Sequence, residues 1–363
     1  MAGRLRPRNP LAAVERAIQK VGPDIVVPTD DQSVLVLHAL HRRRPELRAL
    51  IERSLGDAAS FDIVACRSRL LGLAAELGIR VADGCEVTSA EQALEAFEKY
   101  KPVAVMKADG TNNGAGVRLV RSGSEASAVV HGNTSMRSLA VAMKQRVIDR
   151  NPLAMWAWRQ QPTAALSAQR LIPGRPANIL VACLRGKVLA EVSVEALATE
   201  GETGAALAVR RIEDEEMSRA ARVLAARLGM SGFFGLDFIR EEATNSPYLL
   251  EMNPRATQLS YLPLADGSLA DVLVAGLTAS GEQSKPRNPL GQDAIVIYPR
   301  AIELGLDYGA LPDAYIDTAS DRPALQRALL GRRWPDRQWT SRLYQVIRPP
   351  KPTEPVSWSV IGS

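Results

Sequence analysis

The chain has 363 residues, 46% of them hydrophobic and 23% charged, with 45 basic residues against 40 acidic ones and a formal charge of +5. That length holds two or three packed units, and no apolar stretch reaches the roughly 20 residues that a bilayer helix needs. The start, MAGRLRPRNP, lacks the apolar segment of a signal peptide, so a cytoplasmic protein with no membrane partner is expected.

From the N-terminus, NPLAAVERAIQKVG has apolar residues at helical spacing, DIVVPTDD is a compact apolar run, and QSVLVLHALHRR returns to helix. Residues 9–44 therefore read as an α-β-α fragment of a parallel sheet, half of a doubly wound α/β unit. Asp30 and Asp31 would stand at the strand's carboxyl end, where such sheets place ligands, or cap the next helix, the reading preferred here. DIVACRSRLLGLAAELGIRVADG reads as one helix stopped at Gly78 with a short strand behind it. SAEQALEAFEKY is a second helix, with Ser89 as its cap and Gln92 three residues on.

KPVAVMKADGTNNGAGVRLVRS then gives two strands joined by a polar, glycine-rich loop. Ile179–Leu184 and Val188–Val194 form a hairpin across RGK, and Glu213–Leu228 is a helix with a charged face. Beyond about Gly281 the signals weaken, and the Pro-rich end RPPKPTEPVSWSV is expected to be extended or poorly ordered. Aromatic residues are only 5% and scattered, which argues against a nucleic-acid surface. A mild positive field suits an anionic small substrate. Cys66, Cys85 and Cys183 form no CxxC pair and read as small core residues. His38, His41 and His131 fall outside every motif and are expected at the surface or at helix caps.

Two stretches carry chemistry. In GLDFIREEATNSPYLLEMNPRATQ, two apolar runs flank a turn, and each holds one carboxylate, Asp237 or Glu251. Strand alternation puts Glu251 and Asn253 on one face. If the runs pair, Asp237 joins them, making a hard-oxygen site suited to Mg2+ with phosphate oxygens and water. Taken alone, the same acids could be the polar face of a hairpin. In VMKADGTNNGAGVRLV, Lys107 ends a strand and precedes a loop with Gly110, Gly114 and Gly116. Glycines let backbone N–H groups approach an anion, and the lysine adds a point charge. The GK[ST] ending of a Walker loop is absent.

Together these motifs resemble the ATP-grasp enzymes over about residues 61–280. The lysine and glycine loop is similar to that family's phosphate-covering flap, GLDFI to LLEMNPR to its metal-binding strand pair, and AQRLIPGRPANILVACLRGKVLAEV to its hinge. The resemblance implies an ATP-grasp fold in which two α+β subdomains, a flap subdomain at about 85–168 and a metal-binding subdomain at about 169–280, clasp ATP. It also implies a truncated Rossmann-like pre-ATP-grasp domain at 1–60, whose first βα unit is missing, and a C-terminal extension at 281–363. Carried over, Lys107 and Arg67 would meet the phosphates, together with the flap residues Gly110, Asn113, Gly114 and Gly116. Gln169 and the backbones of Arg170 and Ile172 would hold adenine, and Asn178 the ribose or a phosphate. Asp237, Glu251 and Asn253 would hold one or two Mg2+, with Mn2+ as an alternative. Arg255 would steady an acceptor carboxylate or its acyl phosphate.

The function implied is an ADP-forming carboxylate-amine ligase that uses small-molecule carboxylate and amine substrates. A non-catalytic ATP sensor and a carboxylase-type member are the alternatives, and a homodimer is one assembly open to it.

Overall fold

A computed structural model describes residues 10–108, 116–133, 135–160, 165–258, 260, 268–278, 291–307, 309, 311, 313–318, 322–330, 339–347, 349 and 354–358. Helices α1 (Pro10–Val21), α2 (Asp31–Arg43), α3 (Arg48–Leu55) and the single turn α4 (Phe61–Val64) pack around Leu11, Val36, Leu40, Ile51 and Phe61. Asp30 caps α2, its carboxylate accepting from the Ser33 N–H at 2.7 Å.

The strand expected in DIVVPTDD is not formed. Its backbone groups bond elsewhere: the Val26 N–H donates to Ser54 Oγ at 3.0 Å, and the Pro28 carbonyl accepts from the Ala256 N–H at 3.0 Å. With no ladder partner, an apolar run of this length does not join a sheet. His38 is also not a surface residue. It is buried and stacked on Phe61, with ring centroids 4.1 Å apart, and burial, followed by the nearby Arg42 charge, lowers its pKa to about 4.

The helix expected from Phe61 to Gly78 is broken at Cys66, whose backbone is extended, and restarts as α5 (Arg67–Glu76). Gly78, at φ +70°, closes α5, and the Ile79 N–H donates to the Ala74 carbonyl at 2.9 Å. The strand behind it comes later than expected, as β1 (Gly84–Val87). Cys85 is exposed on this edge strand, Cys66 is half-buried and only Cys183 is a core residue.

Helix α6 (Ala90–Tyr100) is capped as its sequence predicts. Ser89 Oγ accepts from the Gln92 N–H, and the Gln92 side-chain oxygen reaches back to the Thr88 N–H at 2.8 Å. Then follow β2 (Ala104–Ala108), β3 (Val117–Val120), α7 (Gly123–Gly132), α8 (Ser135–Val147), α9 (Ala154–Gln160) and β4 (Leu166–Arg170). The antiparallel sheet has the order β1-β4-β2-β3. One of its faces, with Ala104, Met106, Leu166 and Ala168, buries Phe97 and Tyr100 of α6. Alternation puts Val105, Lys107 and Gln169 on the other.

The larger sheet begins with the expected hairpin, β5 (Gly174–Leu184) and β6 (Lys187–Glu200), turning through Arg185 and Gly186. Both have positive φ, +49° and +78°, the requirement of a two-residue turn matched to strand twist. It continues through β7 (Ala206–Ile212), helix α10 (Glu215–Leu228), β8 (Gly232–Glu241), β9 (Pro247–Asn253), helix α11 (Leu269–Thr278), β10 (Ala294–Val296) and β11 (Tyr315–Ile316). The order is β11-β10-β7-β6-β5-β8-β9. On one face Ile179, Phe234, Phe238 and Leu249 pack on Met217 and Leu224 of α10 and Leu71 of α5. On the other, Leu180, Val194 and Val209 meet Leu269 and Leu273 of α11.

Of the Pro-rich end, residues 355–357 are extended, as expected, but docked. β12 (Pro355–Ser357) runs antiparallel beside β6, with Ser357 opposite Ala198 and Pro355 opposite Glu200. None of the described helices is long and apolar enough to cross a membrane.

Gly56 joins the helical N-terminal segment to the larger sheet. It ends α3 at φ +107° and bridges to Met230, and a Cβ there would lie 2.3 Å from the Gly229 carbonyl oxygen. Gly56→Ala is expected to destabilise the protein by roughly 1–3 kcal/mol, the scale of forcing a side chain into a strained backbone region. Urea denaturation checks this; an unchanged midpoint would show that the junction yields freely.

Candidate functional site

The two sheets bound a cavity of about 820 Å3. The smaller sheet contributes Val105, Lys107 and Gln169, and β3 adds Val117 and Leu119, with Arg121 just past its end. Lys107 and Gln169 are only 7% and 4% exposed. Arg170, Ile172 and Gly174 line the connection into β5, and Asn178, Asp237, Glu251, Asn253 and Arg255 line the larger sheet's side, with Arg67 reaching in from α5. Gly110, Asn113 and Gly114 lie outside the described residues. Gly116 closes the β2–β3 hairpin, its carbonyl accepting from the Ala108 N–H at 3.0 Å.

The carboxylates meet through a departure from regular strand geometry. Leu249 and Glu251 are two residues apart and would share a face in an unbroken strand. In β9, however, Asp237 stands opposite Glu251 and Phe238 opposite Leu249, which leaves Leu250 as an extra residue. This bulge keeps Leu249 in the core and turns Glu251 to the face of Asp237.

Like charges directly opposite on neighbouring strands repel. Burial, and then the Glu251 charge, push the Asp237 carboxyl up to about 7. Two amides steady it: Asn178 Nδ2 donates to Asp237 Oδ1 at 2.5 Å, and Asn253 Nδ2 donates to Oδ2 at 3.0 Å. Glu251 accepts from the Arg67 guanidinium. Arg67 is the first residue of α5, where the helix dipole disfavours a cation. The facing Glu251 charge offsets that cost, and the helix break at Cys66 is what puts Arg67 within reach.

Arg255 extends the network. Its Nη2 donates to Asn253 Oδ1 at 3.0 Å and its Nε to Asp31 Oδ1 at 2.7 Å. Of the two acids expected to cap α2, only Asp30 does so; Asp31 serves Arg255. The Asn253 oxygen expected to face a metal is here taken by Arg255, while its amide nitrogen faces Asp237.

Among the described residues, no group of three or more His, Cys, Asp or Glu is placed to hold a metal ion. Two half-buried carboxylates with an amide beside them still fit Mg2+. That ion is usually held by one or two carboxylates, with water and phosphate completing its octahedron, and it would relieve the repulsion that raises Asp237.

Sequence reasoning did not assign Arg121 or Trp358 to this cavity, or Asp31 to the arginine that lines it. Alternation through Val117, Leu119 and Arg121 carried a signal for the first. Asp31 and Trp358 arrive from distant elements through tertiary contacts that no local pattern encodes.

The Arg67–Glu251 pair generates a stability prediction. Removing one partner of a buried ion pair costs about 3–5 kcal/mol; with Glu251 34% exposed on its side chain, about 1–3 kcal/mol is expected for Arg67→Ala in metal-free buffer. Adding Glu251→Gln should recover most of that loss, so a double-mutant cycle by chemical denaturation should show coupling. Additive effects would mean that the pair is not energetically linked.

Residues 86–258 match the family model described as the ATP-grasp domain. No curated protein matches the chain in sequence. Among solved structures, the biotin carboxylase domain of Hydrogenobacter thermophilus 2-oxoglutarate carboxylase, a dimer in complex with MgADP, ADP and bicarbonate, is similar with a TM-score of 0.54 at 13% identity, over 78% of this chain and 60% of that one. An ADP complex of N5-carboxyaminoimidazole ribonucleotide synthetase gives 0.52 at 17% identity, over 78% and 66%, and the Thermus thermophilus synthetase gives 0.50 at 16%, over 78% and 68%. The chain thus spans 60% of the carboxylase domain and about two thirds of each synthetase. Residues 86–258 thus match the ATP-grasp domain, and the α+β fold around them is similar to that of these solved structures.

Proposed function

We propose that this protein is an ADP-forming ligase that activates a carboxylate with Mg-ATP and joins it to an amine or similar nucleophile. The observation that carries the reading is the shared lining of one cavity by a buried lysine, the connection between the sheets and the bulge-aligned acid pair. In this reading, Gln169 and the backbones of Arg170 and Ile172 hold the adenine edge, and Asn178 stands near the ribose or a phosphate. Lys107 and Arg67 draw the phosphates in. Asp237 and Glu251 would hold Mg2+, beside Asn253 whose oxygen positions Arg255, and the ion would supply charge neutralisation at the phosphates. Arg255, positioned by Asp31 and Asn253, offers a guanidinium to the acceptor carboxylate as the acyl phosphate forms. The nucleophile then attacks the acyl carbon, expels phosphate and leaves ADP. The catalysis is positioning and electrostatics, with no side-chain nucleophile.

Release of ADP and phosphate from Mg-ATP, screened over carboxylic acids with and without amines, tests the reaction class. Tight nucleotide binding with no acceptor-dependent ADP release would overturn the ligase reading in favour of a nucleotide sensor. With an active acceptor found, Glu251→Gln is expected to cut turnover by about a hundredfold or more while thermal unfolding stays cooperative. Full activity in that variant would remove Glu251 from the metal set.

A further inference from the structure

We infer that Trp358, carried by the C-terminal strand β12, is the aromatic wall on which the nucleobase rests; this depends on the nucleotide reading above. β5 stays paired with β6 only as far as Ala177 opposite Glu195. Beyond that point β12 takes the place beside β6, at Ala198–Glu200. The strand therefore enters the larger sheet at the level of the chain leading into β5, and Val356, Trp358, Ile172 and Gly174 line one cavity.

Alternation turns Val356 and Trp358 toward that cavity and Ser357 outward, where it is exposed. One bond fixes the main chain of Trp358 and one its indole. The Trp358 N–H donates to the Leu197 carbonyl at 2.9 Å, and its Nε1–H donates at 3.0 Å to Oγ1 of the buried Thr199. With its one side-chain donor tied to β6, what the indole offers a ligand is the flat ring.

The charges lie further along the same strand. Asn178, which bonds Asp237, is opposite Val194, three residues from Leu197. At about 3.3 Å per residue the separation along the strand is roughly 10 Å. An aromatic face at one level and acids suited to a cation at the other match a nucleotide, whose flat base and phosphates sit at its two ends.

Calorimetric titration of MgADP into the full-length protein, its Trp358→Phe and its Trp358→Leu forms tests this. Both variants lose the Nε1–H bond and keep a similar apolar volume, so they differ chiefly in the aromatic face. Trp358→Phe should stay within about threefold of the parent, and Trp358→Leu should bind roughly tenfold more weakly, the size of one lost base stack. Magnesium tripolyphosphate, which has no base, should bind all three forms alike. Equal MgADP affinity in the Phe and Leu forms, or an equal loss of tripolyphosphate binding in the Leu form, would overturn the assignment while leaving nucleotide binding intact. A parent protein that binds neither probe would overturn the nucleotide reading itself.

Discussion

Two carboxylates held face to face on adjacent strands set the terms for everything around them. Asp237 and Glu251 stand directly opposite one another, an arrangement that costs free energy in any sheet. It persists because neighbouring elements supply what the pair needs. β5 gives the Asn178 amide, β9 gives Asn253, and α5 gives the Arg67 guanidinium. Replacing the pair by apolar residues would be simpler for stability alone. Retaining it, and bending a strand to align it, is what the proposed cation site requires.

The same requirement explains two irregularities elsewhere. A continuous helix from Phe61 would carry Arg67 in mid-helix, whereas the extended Cys66 makes Arg67 the leading residue of α5. The run before α2 forgoes a strand, and its Pro28 carbonyl instead holds the Ala256 N–H beside Arg255. Asp31 then binds Arg255 from the start of the next helix. The N-terminal helices are thus tied to the acid pair through one arginine.

Much of this was legible in the sequence, for definable reasons. The β5–β6 hairpin announces itself by Arg185–Gly186, α6 by its cap, and the strands around Lys107 and Asp237 by apolar runs flanking turns. The candidate site was legible where its residues cluster locally, so that Asp237, Glu251 and Asn253 fall within one hairpin. The apolar run in DIVVPTDD misled, because composition reports burial without reporting whether a pairing partner exists. Alternation predicted that Glu251 and Asn253 share a face and missed that Glu251 had to leave the face of Leu249. A bulge one residue long has no compositional signature in this strand. Asp31 and Trp358 were out of reach for a different reason: they lie more than a hundred residues from the nearest acid of the pair, and only the packed sheet brings them close.

The division of the larger sheet into two unlike faces makes the arrangement sustainable. Behind the acid pair, Phe234, Phe238 and Leu249 are buried against α10, whose Leu224 and Met217 are fully enclosed. A close-packed interior of this kind is rigid and resists small displacements. Repulsion between Asp237 and Glu251 would otherwise be relieved by the strands drifting apart. With β8 and β9 pinned from behind, the charges can respond only through the side chains around them and through whatever enters the cavity. The cost of the pair is thereby held in the site, where a bound cation can recover it.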